Sequence, residues 1–253
     1  MKYNKNWIEQ KENQLNAEIC EAFYLYRKII NREFSWNIFI EYQNILVDAL
    51  FYLKKAEFEI KNKIKEIRKK KRTYYKEKVL KNYIERFNIY EHRIKVMGDF
   101  LAYIFYVNDK ELINNHLQQQ NTSMNSVGSG TFTEVNFIKD FNKENSPYFY
   151  IYNNITSFLR IADVSIFGKR EHKIVGYGEI KSGKPDKKSK IEGSITVISK
   201  YKLSLRGVEK EQSKKLNSKF LNHEMIKHLD KQIENMKENL KPKDIKIRWK
   251  IWN

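Results

Sequence analysis

Three charged side chains on two short stretches carry the chemistry of this chain. Asp163 lies within Ile161-Ala-Asp-Val-Ser-Ile-Phe167, and Glu179 and Lys181 close Lys173-Ile-Val-Gly-Tyr-Gly-Glu-Ile-Lys181. Two carboxylates bind a hard divalent cation, Mg2+ or Mn2+, through oxygen. Such a cation polarises a phosphoryl group, lowers the pKa of a bound water and neutralises charge that builds in a transition state. A neighbouring lysine holds or helps deprotonate the attacking water, or stabilises charge on the phosphate. The set suits phosphodiester cleavage. Gathering like charges at a strand end costs desolvation energy, and a bound cation offsets it.

Both stretches read as strands. Side chains alternate faces along a strand, so Glu179 and Lys181 share one side and Ile180 takes the other. On the first stretch Ala162, Val164 and Ile166 form the apolar face, which leaves Asp163 and Ser165 opposite. If the two apolar faces coincide, Asp163, Glu179 and Lys181 meet on the non-core side. This requires a hairpin in which the numbers of opposed residues sum to an even value, because a one-residue slip reverses every side chain. The competing reading is an ordinary exposed Glu-Lys pair with Asp163 facing a turn.

The elements around this pair follow from period and punctuation. Residues 116–130, HLQQQNTSMNSVGSG, are polar and without apolar period, and mark a boundary or loop. Beyond it the pattern predicts a helix over Thr131–Asn142 with Val135, Ile138 and Phe141 inward. Strands follow at Tyr148–Tyr152, Ile161–Phe167, Lys173–Lys181 and Ile195–Leu205, then a helix over Gln212–Leu240 stopped by Pro242, then a strand at Ile245–Trp252. That order indicates an α/β or α+β fold with a central mixed sheet, α/β being the expectation. Residues 1–115 hold no proline and a single glycine, Gly98. A helix is expected from Ile8 to Ile30, and Ser35 is a candidate N-cap for the next. One helical ladder runs Ile38, Tyr42, Ile45, Ala49, Tyr52, Ala56, Ile60, Ile64, Ile67. Another runs Tyr83, Phe87, Tyr90, Ile94, Met97, Leu101, Ile104 in heptad steps. A helical hairpin should turn near Lys69–Thr73. The expected organisation is a helical domain at 1–115, a linker at 116–130 and a second domain at 131–253. The heptad seam packs on a neighbouring helix of the same chain, or serves a homodimer or a protein partner.

The spacing D-x15-E-x-K on adjacent strands resembles the PD-(D/E)xK, or restriction-endonuclease-like, nuclease superfamily, as does the order helix, three strands, helix, strand. The resemblance covers about residues 128–253. It implies a Mg2+-dependent endonuclease acting on DNA, with Asp163 and Glu179 as metal ligands, Lys181 as the catalytic lysine and the Ile180 carbonyl as a further ligand. Many members carry an acid on the first core helix, where this chain has Glu134. Ala162 departs from the proline of the family's name. Members serve in restriction, phage defence, repair and recombination, and restriction or phage defence is the expectation here. The alternative is a non-catalytic nucleic-acid-binding or scaffolding protein on the same fold.

Other features bear on partners. Lys and Arg total 49 against 31 Asp and Glu, a formal net charge of +18. Such a surface attracts polyanions, DNA here in preference to RNA, although A+T-rich coding would also enrich lysine. Two basic clusters could touch a phosphate backbone: Arg68, Lys69, Lys70, Lys71 and Arg72 at the hairpin tip, and Lys184, Lys187, Lys188 and Lys190 just after Lys181. Thr131-x-x-Glu134 also fits a capping box. Tyr148, Phe149, Tyr150 and Tyr152 suit base stacking or, more simply, a core. The lone Cys20 excludes an internal disulfide and reads as a small buried apolar residue. Pro185 sits where a P-loop needs Ser or Thr, and the five-residue step from His223 to His228 does not fit a zincin. With no apolar run near ~20 residues and no signal-peptide core, the chain reads as cytoplasmic, without membrane contact.

Overall fold

The computed structural model describes residues 5–33, 35–69, 74–107, 109–118, 129–182, 192–199 and 243–250. Five α-helices occur among them: α1 (Lys5–Ile30), α2 (Trp36–Lys69), α3 (Tyr74–Tyr106), α4 (Lys110–Gln118) and α5 (Ser129–Phe141). Five strands follow: β1 (Tyr148–Tyr152), β2 (Val164–Gly168), β3 (Lys173–Ser182), β4 (Glu192–Ser199) and β5 (Lys243–Lys250). Two packing units result. One comprises Met1–Leu101, Met124–Thr131 and Ile155–Ser157, and the other Ala102–Ser123, Phe132–Asn154 and Phe158–Asn253. The division passes through α3, ahead of the 116–130 segment.

In the first unit, helical period dictates the packing. The Ser35 hydroxyl accepts the Ile38 amide at 3.2 Å and so caps α2. Helix α2 buries Phe39, Tyr42, Leu46, Leu50 and Leu53, each worth about 1.5–3 kcal/mol when fully removed from water. The heptad seam of α3 packs inside the chain: Phe87, Ile94 and Leu101 are buried, the Tyr42 hydroxyl donates to the Met97 carbonyl at 2.9 Å, and Lys54 meets Glu91 at 2.6 Å. Cys20 is exposed, contrary to expectation. The buried stripe of α1 runs through Leu15, Ala22 and Ile29, and Cys20, two residues before Ala22, lies about 200° round the helix from it.

The second unit is built on a five-stranded sheet of order β1-β2-β3-β4-β5. All four neighbouring pairs are antiparallel, so the expected mixed sheet is not what forms. The links from β1 to β2, β2 to β3 and β3 to β4 are short, and parallel neighbours need a crossover of a dozen or more residues. Strands β1 and β2 are buried on both faces. Phe105 of α3 contacts Phe149 and Phe167 on one face, at 4.9 and 4.8 Å between ring centroids. On the other, Phe137 of α5 meets Tyr150 at 5.3 Å. Tyr148, Phe149, Tyr150 and Tyr152 are therefore core residues. Strand β2 starts at Val164 rather than Ile161, because residues 161–163 bend and Ala162 takes a left-handed φ of 74°. Helix α4 reaches into the segment expected to be loop, and Thr131 falls inside α5 instead of capping it. The expected helix 212–240 and the tail of the fourth strand at 200–205 lie outside the described residues. No described helix is long and apolar enough to cross a membrane.

Candidate active site

Register brings the acids together. Val164 opposes Gly178, Ser165 opposes Tyr177 and Ile166 opposes Gly176, so opposed numbers have the even sum that the chemistry requires. Only beyond Ile166 does a bulge shift the pairing. Gly178 makes this approach possible, because an added Cβ would stand 2.6 Å from Ile195 Cδ1 and 2.7 Å from Val164 Cγ2. The Asp163 amide donates to the Gly178 carbonyl at 3.1 Å. The Ile180 amide donates to Asp163 Oδ2 at 2.6 Å. Asp163 thus sits at the open end of β2, beside Glu179 and Ile180. Amide and carbonyl of one residue leave a strand on the same edge, so the Ile180 carbonyl also points toward this end.

Glu179 is 2% exposed, and its Oε1 accepts from Lys181 Nζ at 2.6 Å. Its Oε2 is buried and has no hydrogen-bond partner among the described residues. Glu134, on α5, does not reach back to cap its helix. Its Oε2 accepts from the Tyr152 hydroxyl at 2.6 Å and from Asn154 Nδ2 at 3.2 Å. The face of Glu179 and Ser165 was expected to be open, yet Ser165, Tyr177 and Glu179 are all buried. Over Ser165 and Tyr177 lie Tyr106 at the end of α3 and His116 of α4, and neither was legible there from periodicity.

The electrostatics follow from this crowding. Burial, and then repulsion from Glu179 and Glu134, push the Asp163 carboxyl well above its usual range, against the Ile180 amide and Lys181. Burial likewise raises Glu134, with Glu179 adding to it and the Tyr152 hydroxyl opposing. For Lys181, burial works against the ammonium, but Glu179, Asp163 and Glu134 outweigh it and hold the pKa above the ordinary value. Three acids and one cation share a site that leaves the acids short of positive charge. A hard cation fits such a donor set, with Asp163, Glu179 and the Ile180 carbonyl offering oxygen. No cluster of three or more His, Cys, Asp or Glu poised to grip one ion occurs among the described residues, so a cation here would draw on two carboxylates, backbone and water.

The other expected contacts fare differently. Arg68 is bonded across the helical hairpin to Glu77 at 2.6 Å, and Arg68 and Lys81 hold the Glu77 carboxyl down to about 2. Lys69 ends α2. Lys70, Lys71 and Arg72, and Lys184, Lys187, Lys188 and Lys190, lie outside the described residues, as do His223 and His228. Comparison with protein-family models, curated proteins and solved structures finds no match to the chain.

Proposed function

We propose that this chain is a metal-dependent nuclease that hydrolyses phosphodiester bonds of DNA, on a fold similar to the PD-(D/E)xK core. The observation that carries the reading is the meeting of Asp163 and Glu179 at the end of β2, with a buried Glu179 oxygen left without a partner. A buried acceptor without a partner costs about 1–3 kcal/mol, which a cation bound at this oxygen would offset. Asp163 and Glu179, with the Ile180 carbonyl, would hold Mg2+ or Mn2+, which when bound polarises the scissile phosphoryl group and lowers the pKa of an attacking water.

The remaining work falls to the chain itself. Lys181 stays protonated beside Glu179, so it acts as a fixed positive charge for phosphoryl oxygens rather than as a base. Tyr152 and Asn154 fix Glu134, which adds negative charge next to the cation position. The formal net charge of +18 supplies attraction to a polyanion that weakens with salt. One observation favours a non-catalytic nucleic-acid-binding protein instead: the ion pair to Lys181 already neutralises part of the Glu179 charge.

Incubation of the full chain with supercoiled plasmid in Mg2+ or Mn2+, against EDTA, tests turnover. Cleavage should require the metal and fall by on the order of 100-fold or more in Lys181→Ala. Asp163→Ala and Glu179→Ala should abolish it. Cleavage that survives all three changes would place the active site elsewhere, and DNA binding without cleavage would favour the second reading.

A further inference from the structure

Asp163 is aimed by a bend that its own sequence does not favour. Ala162, immediately before it, has a φ of 74°, a region that non-glycine residues occupy at a cost and keep only where the surroundings over-determine it. Those surroundings are a buried chain of hydrogen bonds. His116 Nδ1 accepts the backbone amides of both Arg160 and Ile161, at 2.9 and 3.0 Å. The neutral ring therefore carries its proton on Nε2, which faces the Tyr106 hydroxyl at 3.0 Å. Tyr106 donates to Ser165 Oγ at 2.8 Å, and Ser165 donates to Asn153 Oδ1 at 2.8 Å. Asn153 Nδ2 then donates to the Ala162 carbonyl at 3.1 Å, while the Asn153 amide donates to the Asp163 carbonyl at 2.9 Å.

The donors thus run in one direction, from His116 on α4 through α3 and β2 to the turn after β1. They grip the chain on both sides of Ala162, at residues 160–161 and at 162–163. His116, Ser165 and Asn153 are all buried, so water does not substitute for a lost partner.

We infer that His116, acting through Tyr106, Ser165 and Asn153, is a positioning residue that holds the 160–163 bend and so fixes the Asp163 carboxylate against the Ile180 amide. The holding stands on the fold alone, and its consequence for metal affinity rests on the function proposed above.

The test uses the full chain and two substitutions that both remove the ring. His116→Asn keeps an acceptor near the Nδ1 position, whereas His116→Gln carries its polar end near Nε2. Amide hydrogen exchange is read on the metal-free protein, and Mn2+ affinity is read by calorimetry. In His116→Gln the Asn153 and Ile180 amides should exchange at least about 10-fold faster relative to the Val197 amide in β4, and Mn2+ binding should weaken about 10–100-fold, as is usual when the support of a ligand is lost. His116→Asn should restore most of both. Equal behaviour of the two variants, or acceleration spread evenly over the sheet, overturns the positioning role. Ser165→Ala, which removes one oxygen from the middle of the chain, serves where a ring deletion fails to fold. Continued protection of Asn153 and Ile180 in that variant overturns the role equally. Local loosening in a protein that binds no Mn2+ in any form keeps the positioning role and removes the metal site. Unchanged exchange with intact Mn2+ binding does the reverse.

Discussion

Acid should loosen the second unit through a single histidine. His116 is fully buried, and burial pushes its ring from the ordinary 6.5 down to about 3. The groups facing it are Tyr106 from α3, Tyr177 from β3 and the amides of Arg160 and Ile161. No acid contributes to the shift. A proton added at Nδ1 would also point at two N–H donors. The sign is fixed by linkage: between about pH 3 and 6.5 the unfolded chain carries a proton on His116 and the folded chain does not, so stability rises with pH there. The contribution is fully present above 6.5 and is lost as pH falls toward 3. At about 1.36 kcal/mol per pH unit, the whole interval is worth up to about 5 kcal/mol. That is a large part of the 5–15 kcal/mol that holds an average domain together. Urea unfolding between pH 7.5 and 4, wild type against His116→Asn, measures it. The variant starts less stable at pH 7.5 and should lose about 3 kcal/mol less than the wild type over the range, because its side chain does not titrate. Parallel losses in the two proteins would refute the argument.

Three further outcomes follow from the same geometry. Asp163→Asn keeps an acceptor for the Ile180 amide and removes a repelled charge, so it should stabilise the metal-free protein at pH 7.5 in EDTA. The raised Asp163 pKa makes that advantage vanish below the ordinary carboxylate range, where the wild type is protonated in both states; a difference that grows toward acid would contradict it. Gly178→Ala should cost about 1–3 kcal/mol in chemical denaturation, because its methyl group collides with Val164 and Ile195. Ala162→Gly should be neutral or stabilising by up to about 1 kcal/mol, since relief of the left-handed strain exceeds the entropy that glycine adds; clear destabilisation would show that φ at 162 is not strained.

Much of the scaffold was legible in the sequence because it obeys period. The Tyr148–Tyr152 strand, the Ser35 cap and the buried seam of α3 read from an aromatic run, side-chain chemistry and heptad spacing. The even register between Asp163 and Glu179 was derivable as a requirement, and the pairing of β2 with β3 has it. What escaped is non-local. No pattern around Ala162 announces a left-handed residue, because long-range hydrogen bonds impose it. His116 looked like part of a polar linker, since one histidine in a Gln- and Asn-rich stretch carries no period. Glu134 fitted a capping box on local grounds, and only the approach of Tyr152 and Asn154, 18 and 20 residues on, gives its carboxylate other partners. The antiparallel run from β1 to β4 depends on connection lengths, which element order alone does not rank.

The account stands on two acids holding one divalent cation. Calorimetric titration of Mn2+ into the wild type and into Glu179→Gln, both at pH 7.5, tests that claim most directly. One ion per chain should bind the wild type, with affinity in Glu179→Gln reduced at least about 100-fold. Equal binding by the two proteins, or none by the wild type, would contradict it.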